Sequence, residues 1–454
     1  MGGRRTRAHR FTTRAATLAA MGLVALTLTA CIGGAASDER PAPTATHAPV
    51  DGSAAACVAD PEAVAGQDDT QEGHPVDDDL AARYDDAASA VFHQVAEVAP
   101  GAIVGVRGPD GTFTAAYGTA DLATGAAAET DQHVRIASVT KSFVGTVVLR
   151  LADEGRLSLD DPIDDYVPDV PNGSRITLRE LITMRSGLGN YSDDEQWGLE
   201  MLADPEAEWS PDRLLEYAWS MPTSFPPGTN MEYSNTNFIL LGLVVEQVTG
   251  ERLTDVIRAE VLEPLALAET AYPADNTLPS PRMQGYTLPA VVTPAAGASP
   301  EWVDATDWSP SSAGAAGAMT SDLDDLLAWG RALATGQGVL EASAQVERLE
   351  SFATSTLGPR EFYGQALVCR DGWIGHHGNI PGYNTVVRYH PAIDTTIVVV
   401  ASGLSGTATP PRVLVIEEYA SALADVAGQP FTATVVPPEA QVQGLVPVMP
   451  PGGF

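Results

Sequence analysis

The chain has 454 residues, of which 59 are acidic and 25 are basic, so its formal net charge is −34. Hydrophobic residues make up 44% of the chain, which is enough for a substantial core and excludes a wholly disordered protein. The acidic excess argues against a nucleic-acid partner, because phosphate binding requires clustered Lys and Arg side chains.

The first 31 residues have the features of a bacterial export signal. Five arginines precede an apolar stretch from Ala15 to Ala30, which is too short to cross a bilayer comfortably. The stretch ends in Leu28-Thr29-Ala30-Cys31, which resembles the lipobox of bacterial lipoproteins. We therefore expect Cys31 to be lipidated and to anchor the mature protein to the membrane, outside the cytoplasm. An ordinary cleaved signal with an incidental cysteine is the alternative.

The segments that flank the central part of the chain have little capacity to form a core. Residues 32–78 are rich in Ala, Pro, Asp and Gly, so we expect a disordered acidic tether. Residues 428–454 are rich in Pro and Val and lack a helical period, which predicts an extended tail. In an oxidising compartment Cys57 and Cys369 are expected to form a disulfide that holds the tether to the domain; two free thiols are the alternative.

Residues 79–427 have the character of an ordered domain. Predicted strands lie near both of its ends, and apolar residues between them recur at spacings of three and four, as in helices. This pattern predicts one sheet assembled from both ends, interrupted by a helical insert. The predicted strands are Ala102–Arg107, Thr112–Tyr117, Thr385–Tyr389 and Thr395–Ala401. The predicted helices include Leu80–Val98, Leu214–Trp219, Phe238–Val248, Leu253–Val261, Leu323–Leu333 and Arg412–Ala427.

A serine and the only lysine of the chain lie three residues apart, at the start of a predicted helix that runs to about Glu154. Ser138 and Lys141 therefore share one face of the helix, one turn apart. A lysine in a desolvated pocket can accept the proton of a serine hydroxyl, which arginine cannot do. The helix N terminus also offers a free N–H to a developing oxyanion. The alternative is a capping segment with a lysine that reaches solvent.

A second candidate element is the loop that precedes the helix Phe238–Val248. Tyr233 and Asn235 are two residues apart and can point the same way in an extended segment. A phenol beside an ammonium has a lowered pKa and can relay protons. A carboxamide can bind a substrate amide as both donor and acceptor. A packed tyrosine followed by a polar helix cap is the alternative.

A third element precedes the strand predicted at Thr385. It contains His376, His377 and Gly378. Paired histidines suggest a metal site, but no third ligand candidate lies close by, so we expect neither a metal nor a cofactor. Gly378 allows a ligand to approach the backbone closely.

Together, and in this order, the three elements resemble the signature of the serine β-lactamase and DD-peptidase superfamily. The resemblance is to the branch of class C β-lactamases and D-alanyl-D-alanine carboxypeptidases, with SxxK, YxN and K/HxG motifs, and it covers about residues 80–427. The matching pairs are Ser138/Lys141, Tyr233/Asn235 and His376/Gly378. The implied fold is mixed α and β, with an antiparallel sheet built from both ends of the domain, flanked by helices, and an inserted helical subdomain.

The resemblance also implies an acyl-enzyme mechanism. Ser138 would attack an amide or ester carbonyl, and Lys141 and Tyr233 would share the acid–base work. The backbone N–H groups of Ser138 and Asn379 would form the oxyanion hole. The catalytic set is then Ser138, Lys141 and Tyr233.

Substrate binding is implied for a second set of residues, namely Asn235, His376, Gly378 and Asn379. Asn235 would hold the substrate amide, and His376 would face the carboxylate end of the substrate. Many members have lysine at the position of His376, and a histidine carries only a partial positive charge near pH 7. We therefore expect carboxylate-dependent substrates to be turned over better at mildly acid pH.

The leading functional hypothesis is a membrane-anchored extracytoplasmic serine hydrolase that acts on a D-alanyl peptide of the peptidoglycan type or a related small amide or ester. A β-lactamase or an esterase of the same fold is an alternative, which differs in deacylation rate and pocket shape. A penicillin-binding lipoprotein that senses cell wall without turnover is a further alternative. The presence of Ser138, Lys141 and Tyr233 together argues against an inactive protein.

Overall fold

The computed structural model of the protein describes residues 57–287, 302–354, 361–403, 412–433 and 435–436. The predicted export signal, with its lipidation site Cys31, lies outside the described residues, as does most of the predicted C-terminal tail. Among the described helices, none combines the length and the apolar character needed to cross a membrane.

In the described part of the chain, nine strands form one antiparallel sheet in the order β3-β2-β1-β9-β8-β7-β6-β5-β4. The N-terminal hairpin joins the C-terminal strands through the pairing of β1 with β9, so the prediction of a sheet built from both ends is confirmed. The strands are β1 Gly101–Gly108, β2 Gly111–Asp121, β3 Ala126–Ala127, β4 Ala353–Thr354, β5 Glu361–Tyr363, β6 Val368–Arg370, β7 Trp373–Ile380, β8 Tyr383–His390 and β9 Thr395–Ser402.

Helices cover both faces of the sheet, and those from α3 to α10 form the predicted insert between β3 and β4. The helix predicted from Arg412 begins at Val415 instead, because Arg412–Val413 pairs as a strand with Val435–Val436. The helices are α1 Pro61–Ala65, α2 Asp78–Val95, α3 Thr140–Asp153, α4 Leu178–Ile182, α5 Glu195–Ala203, α6 Pro211–Ser220, α7 Asn235–Thr249, α8 Leu253–Ile257, α9 Leu323–Thr335, α10 Ala342–Glu350 and α11 Val415–Val426.

The central strands are buried on both faces, and their residues alternate between two cores. Val104 and its partner Val399 pack in the layer formed by α2 and α11. Ile103 and its partner Val400 pack on the other face, in the core that they share with α9 and other helices of the insert. Because successive side chains of a strand point to opposite faces, the same two strands anchor both layers. The insert is thereby fixed against one face of the sheet.

The second half of the predicted tether is ordered, which differs from the expectation. Cys57 is bonded to Cys369 of β6 by the expected disulfide. The carboxylate of Asp394 accepts hydrogen bonds from the backbone N–H and the hydroxyl of Thr70, at 2.8 and 2.7 Å. Polar contacts, the disulfide and a few buried apolar residues such as Val58 and Val64 hold this segment, which is too sparse a set to stand out in a hydropathy pattern. Residues 32–56 lie outside the described residues.

Candidate active site

The nucleophile candidate lies in a distorted turn rather than in a regular helix. A 3-10 turn over Ala137–Val139 precedes α3, and Ser138 is its middle residue. Ala137 has a φ of +48°, in the left-handed region that residues with a Cβ rarely adopt. Strain of this kind persists only where the surrounding structure imposes it, and it is concentrated at functional sites. Here the strained residue directly precedes Ser138, whose backbone N lies close to Gly378 of β7.

Lys141 is completely buried and makes three polar contacts. Its Nζ lies 2.9 Å from Ser138 Oγ, 2.7 Å from Asn235 Oδ1 and 2.7 Å from the carbonyl oxygen of Ala316. Burial lowers the pKa of Lys141 well below its ordinary value. An uncharged amine has two N–H donors and one lone pair. The two carbonyl acceptors use the donors, so the lone pair is left for the hydroxyl proton of Ser138.

Tyr233 completes the catalytic set around the serine hydroxyl. Its ring centroid is 4.9 Å from Lys141 Nζ. Burial raises the pKa of Tyr233 above its ordinary value, and a hydrogen bond with Ser138 opposes this only in part. The expectation that a neighbouring ammonium lowers the tyrosine pKa is wrong, since Lys141 is itself desolvated. Tyr233 therefore acts as a protonated phenol, and Lys141 is the group with a free lone pair.

Asn235 holds Lys141 in place from the first residue of α7. Its Oδ1 accepts from Lys141, while its Nδ2 donates to Ser192 Oγ at 3.0 Å. Its backbone N–H donates to Asn190 Oδ1 at 2.9 Å. In this structure Asn235 thus orients the base, and its predicted contact with a substrate amide stays a prediction. The sequence analysis did not identify Asn190 and Ser192 as site residues. Their only sequence signal is that they are polar and follow Gly187 and Gly189 in the loop after α4.

The third element lies inside β7 and precedes β8, the strand that contains Thr385, as predicted. Gly378 packs directly against the nucleophile turn: a Cβ at this position would lie 2.4 Å from the backbone N of Ser138 and 2.8 Å from the carbonyl oxygen of Ile136. Only glycine allows the strand to come this close to the turn. The backbone of Asn379 follows at once along the strand, and its role in an oxyanion hole stays a prediction.

His376 does not carry the partial charge that the sequence suggested. Its Nδ1 lies 2.7 Å from the carbonyl oxygen of His377, so Nδ1 is the protonated nitrogen. Its Nε2 lies 3.3 Å from the hydroxyl of Tyr363 and accepts from it. Burial, followed by the neighbouring His377 and Lys141, lowers the pKa of His376 well below its ordinary value. His376 is therefore neutral near pH 7, and the predicted gain for carboxylate substrates at mildly acid pH has no basis in its charge.

Comparison with known proteins agrees with this arrangement. A family model described as Beta-lactamase matches residues 87–419, which include all three elements. The chain belongs to the β-lactamase family. Its side chains supply a serine nucleophile and a buried base, so it is a serine hydrolase of the β-lactamase fold.

Relatives of this β-lactamase-family chain carry several activities. A D-aminopeptidase of Brucella canis is 29% identical over 318 residues, which are 68% of this chain and 57% of the relative. Esterase EstB of Burkholderia gladioli is 33% identical over 205 residues, which are 42% of this chain and 52% of the esterase. The matched parts span only about half of these two curated relatives.

Two solved structures extend the comparison. A D-stereospecific amidohydrolase from Streptomyces sp. is 30% identical, with a TM-score of 0.63 over 71% of this chain and 94% of the other. A D-amino acid amidase from Ochrobactrum anthropi SV3 is 24% identical, with a TM-score of 0.68 over 77% of this chain and 99% of the other. The second likeness shows that the β-lactamase fold is shared.

Tyr363 of β5 is a site residue that sequence reasoning missed. Its ring packs edge-on against Tyr233, with centroids 5.9 Å apart, and edge-on against His376 at 5.8 Å. Burial raises the pKa of Tyr363 well above its ordinary value, so its hydroxyl remains a donor to His376. Tyr363 thereby fixes the ring orientations of two motif residues in this β-lactamase-family site. It is distant in sequence from Tyr233, and no local pattern marks it.

The side chains of His376 and His377 point to opposite faces of the sheet, because successive residues of a strand alternate in direction. His376 contacts Tyr363 and lies near Lys141, whereas the electrostatic neighbours of His377 include Glu417 of α11, on the other side of the sheet. Among the described residues, no group of three or more His, Cys, Asp or Glu side chains is arranged to hold a metal ion.

Proposed function

We propose that the protein hydrolyses amide bonds formed by the carboxyl group of a D-amino acid, through an acyl-enzyme on Ser138. The observation that carries the proposal is the 2.9 Å contact of Ser138 Oγ with a completely buried lysine, whose pKa burial lowers well below its ordinary value. The names of two relatives support the choice of substrate: a D-aminopeptidase and a D-stereospecific amidohydrolase. A small D-alanyl amide or peptide is the substrate that we favour within this class.

The chemical steps use only groups of the site. Ser138 Oγ attacks the carbonyl carbon, and its proton passes to Lys141 Nζ. The C–N bond then breaks, and the leaving amine takes up that proton, with the hydroxyl of Tyr233 positioned to relay it. Water attacks the resulting ester by the reverse route, loses a proton to Lys141 and releases the acid with Ser138 restored.

The neutral site favours an amidase or aminopeptidase over a carboxypeptidase. A carboxypeptidase substrate ends in a free carboxylate, which a fixed positive charge would stabilise. Lys141 and His376 are the two basic groups of the motifs, and burial disfavours the charged form of each. A leaving group without that carboxylate therefore fits the described site better.

The acyl-enzyme is tested by the intact mass of the purified full chain after incubation with a penicillin. We expect a mass increase of one penicillin in the parent protein and in Ser220→Ala, an exposed serine control, and none in Ser138→Ala. Consumption of penicillin without a lasting adduct indicates rapid deacylation and a β-lactamase. Equal labelling of Ser138→Ala would contradict the assignment of the nucleophile.

We further propose that the protein is a lipoprotein anchored outside the cytoplasm through Cys31. The arginine-rich start, the apolar stretch and the lipobox-like ending support this, and the disulfide of Cys57 with Cys369 suits an oxidising compartment. We expect the full chain in the membrane fraction of an expressing bacterium, and we expect Cys31→Ser to leave that fraction. Equal membrane recovery of both proteins in detergent-free lysates would contradict the anchor.

A further inference from the structure

A cavity of about 710 Å³ lies beside α7 in the helical insert. Its volume is within the range of about 300–1,000 Å³ that is typical of small-molecule sites. One face of α7 forms one wall, and several residues of the segment 309–319, the wall segment, form another. Within the described part of the chain, the lining includes no residue of the catalytic set and none of the predicted substrate-binding residues. The cavity is therefore separate from the catalytic centre.

Apolar side chains and negative charges line this cavity together. Its apolar residues include Trp209, Leu214, Ile239, Leu243, Leu253 and Ala315. Its acidic residues are Glu206, Glu208, Glu246 and Asp275. Arg252 is the one basic residue that the described lining contains, and its guanidinium is paired with the carboxylate of Asp255 at 2.9 Å. A ligand with an apolar body and a positive charge is therefore complementary to the cavity.

Glu246 is the acid best placed to bind that charge. It is half-buried, whereas the other three acids of the lining are exposed. Its Oε1 accepts from the backbone N–H of Leu253 at 2.9 Å, which fixes the carboxylate at the end of the α7 wall. This hydrogen bond uses one oxygen of the carboxylate, so the other is available to a cationic group.

The wall segment also holds the turn that carries the nucleophile. The carbonyl oxygen of Ala316 accepts from Lys141 Nζ at 2.7 Å. The backbone N–H of Met319 donates to Thr140 Oγ1 at 3.0 Å, and its carbonyl oxygen accepts from the backbone N–H of Ile136 at 3.0 Å. Three hydrogen bonds thus join one wall of the cavity to the residues that flank the catalytic serine.

Close packing connects the cavity side of the wall segment to its catalytic side. Gly242 of α7 approaches the segment so closely that a Cβ at this position would lie 2.7 Å from the Cβ of Ala315. A Cβ at Gly314 would lie 3.1 Å from Ile239 Cδ1. Ala315 lines the cavity, and the next residue binds the base. Contacts that a ligand makes with Ala315 therefore restrict the position of the carbonyl oxygen that holds Lys141.

We infer that the cavity is an effector site for a small organic cation with an apolar body, and that binding there accelerates acylation of Ser138. A ligand that is complementary to the cavity in this structure favours the conformation in which the wall segment holds Lys141 against the serine. The inference adds a second ligand site to the proposed hydrolase and does not depend on which amide is cleaved.

The test uses phenylbutylamine, with phenylbutyrate as a compound of similar body and opposite charge. Calorimetric titration of the full chain gives the Kd of each compound, and intact mass gives the rate of penicillin adduct formation on Ser138. We expect the amine to bind more tightly than the carboxylate. We expect a saturating amount of the amine to raise the rate of acylation about fivefold or more, as for typical coupling between two sites.

Three variants locate the binding. Glu246→Gln keeps an oxygen that accepts from Leu253 and removes the charge, so we expect the Kd of phenylbutylamine to rise about 5- to 10-fold. Leu243→Trp adds bulk at a half-buried position of the lining and is expected to abolish binding. Glu251→Gln is the matched control, because it removes an exposed charge that does not line the cavity, and we expect it to leave the Kd unchanged.

Equal binding of the two compounds, binding of neither, or an unchanged Kd in both cavity variants overturns the inference. Binding of the amine without a change in the rate of acylation also overturns it, as does inhibition that excess penicillin relieves, which would place the amine at the catalytic centre. Absence of acylation without any amine instead contradicts the proposed function, and the Kd values still test the cavity. If the cavity variants do not fold, the preference of the parent protein for the amine and the effect on acylation decide the question.

Discussion

Replacing Lys141 with arginine is expected to abolish acylation of Ser138. The guanidinium of arginine stays protonated, so the lone pair that faces the serine hydroxyl is lost. Removal of a general base lowers rates by about 10²- to 10⁴-fold, and the loss is larger when nucleophile and base act as a unit. The rate of penicillin adduct formation, followed by intact mass, measures the effect.

Because Lys141 is completely buried, an arginine there can also disturb folding. Lys141→Met removes the base without adding charge and keeps a similar shape, so it serves as the second variant. Thermal unfolding followed by circular dichroism separates folded, inactive protein from unfolded protein. A folded Lys141→Met protein that is acylated at the parent rate would show that Lys141 is not the base.

The assignment of Lys141 as the general base also determines how the rate of acylation of Ser138 changes with pH. The base accepts a proton only in its uncharged form, and burial lowers the pKa of Lys141. Acylation is therefore expected to be lost as the pH falls through that lowered pKa. For an ordinary, solvated lysine the loss would be centred at about pH 10.4, so a midpoint of the acylation rate well below that pH would support the assignment.

Gly378→Ala is expected to inactivate the protein through its backbone. The added methyl would meet the backbone N of Ser138 at 2.4 Å and the carbonyl oxygen of Ile136 at 2.8 Å, and neither atom can move without displacing the nucleophile turn. Loss of one oxyanion-hole donor lowers kcat by about 10²- to 10³-fold. We expect a loss of that order in kcat for D-alanine p-nitroanilide.

Gly73 offers a matched control, because a Cβ there would have no atom within 4 Å. We expect Gly73→Ala to retain parental activity and stability. If Gly378→Ala kept the parental kcat, β7 could move away from the nucleophile turn without loss of activity. The close contact between Gly378 and the turn would then not be required for catalysis.

The sequence predicted the features that depend on local spacing. The three-residue separation of Ser138 and Lys141 anticipated their contact, and alternating strands near both ends anticipated the pairing of β1 with β9. The order of the three motifs along the chain predicted the family, which the family model over residues 87–419 confirms. Each of these inferences uses a period or an order along the chain, which a sequence contains directly.

Burial could not be predicted in the same way. Helix α3, which carries Lys141, is buried over nearly its whole surface. The wrong expectations for Tyr233 and His376 have this common cause, since desolvation by distant segments decides both pKa values. Tyr363 was missed for a related reason: it reaches the site through pairing of β5 in the sheet.

The position of the single lysine of this chain has a practical consequence. Lys141 is the only lysine of the chain and is sealed inside the site. Lysine labelled with 15N at Nζ alone would give this 454-residue protein a single nitrogen resonance, free of overlap, whose chemical shift reports the protonation of one catalytic atom. The proton-accepting atom of the active site can thus be observed directly by NMR, without any mutation.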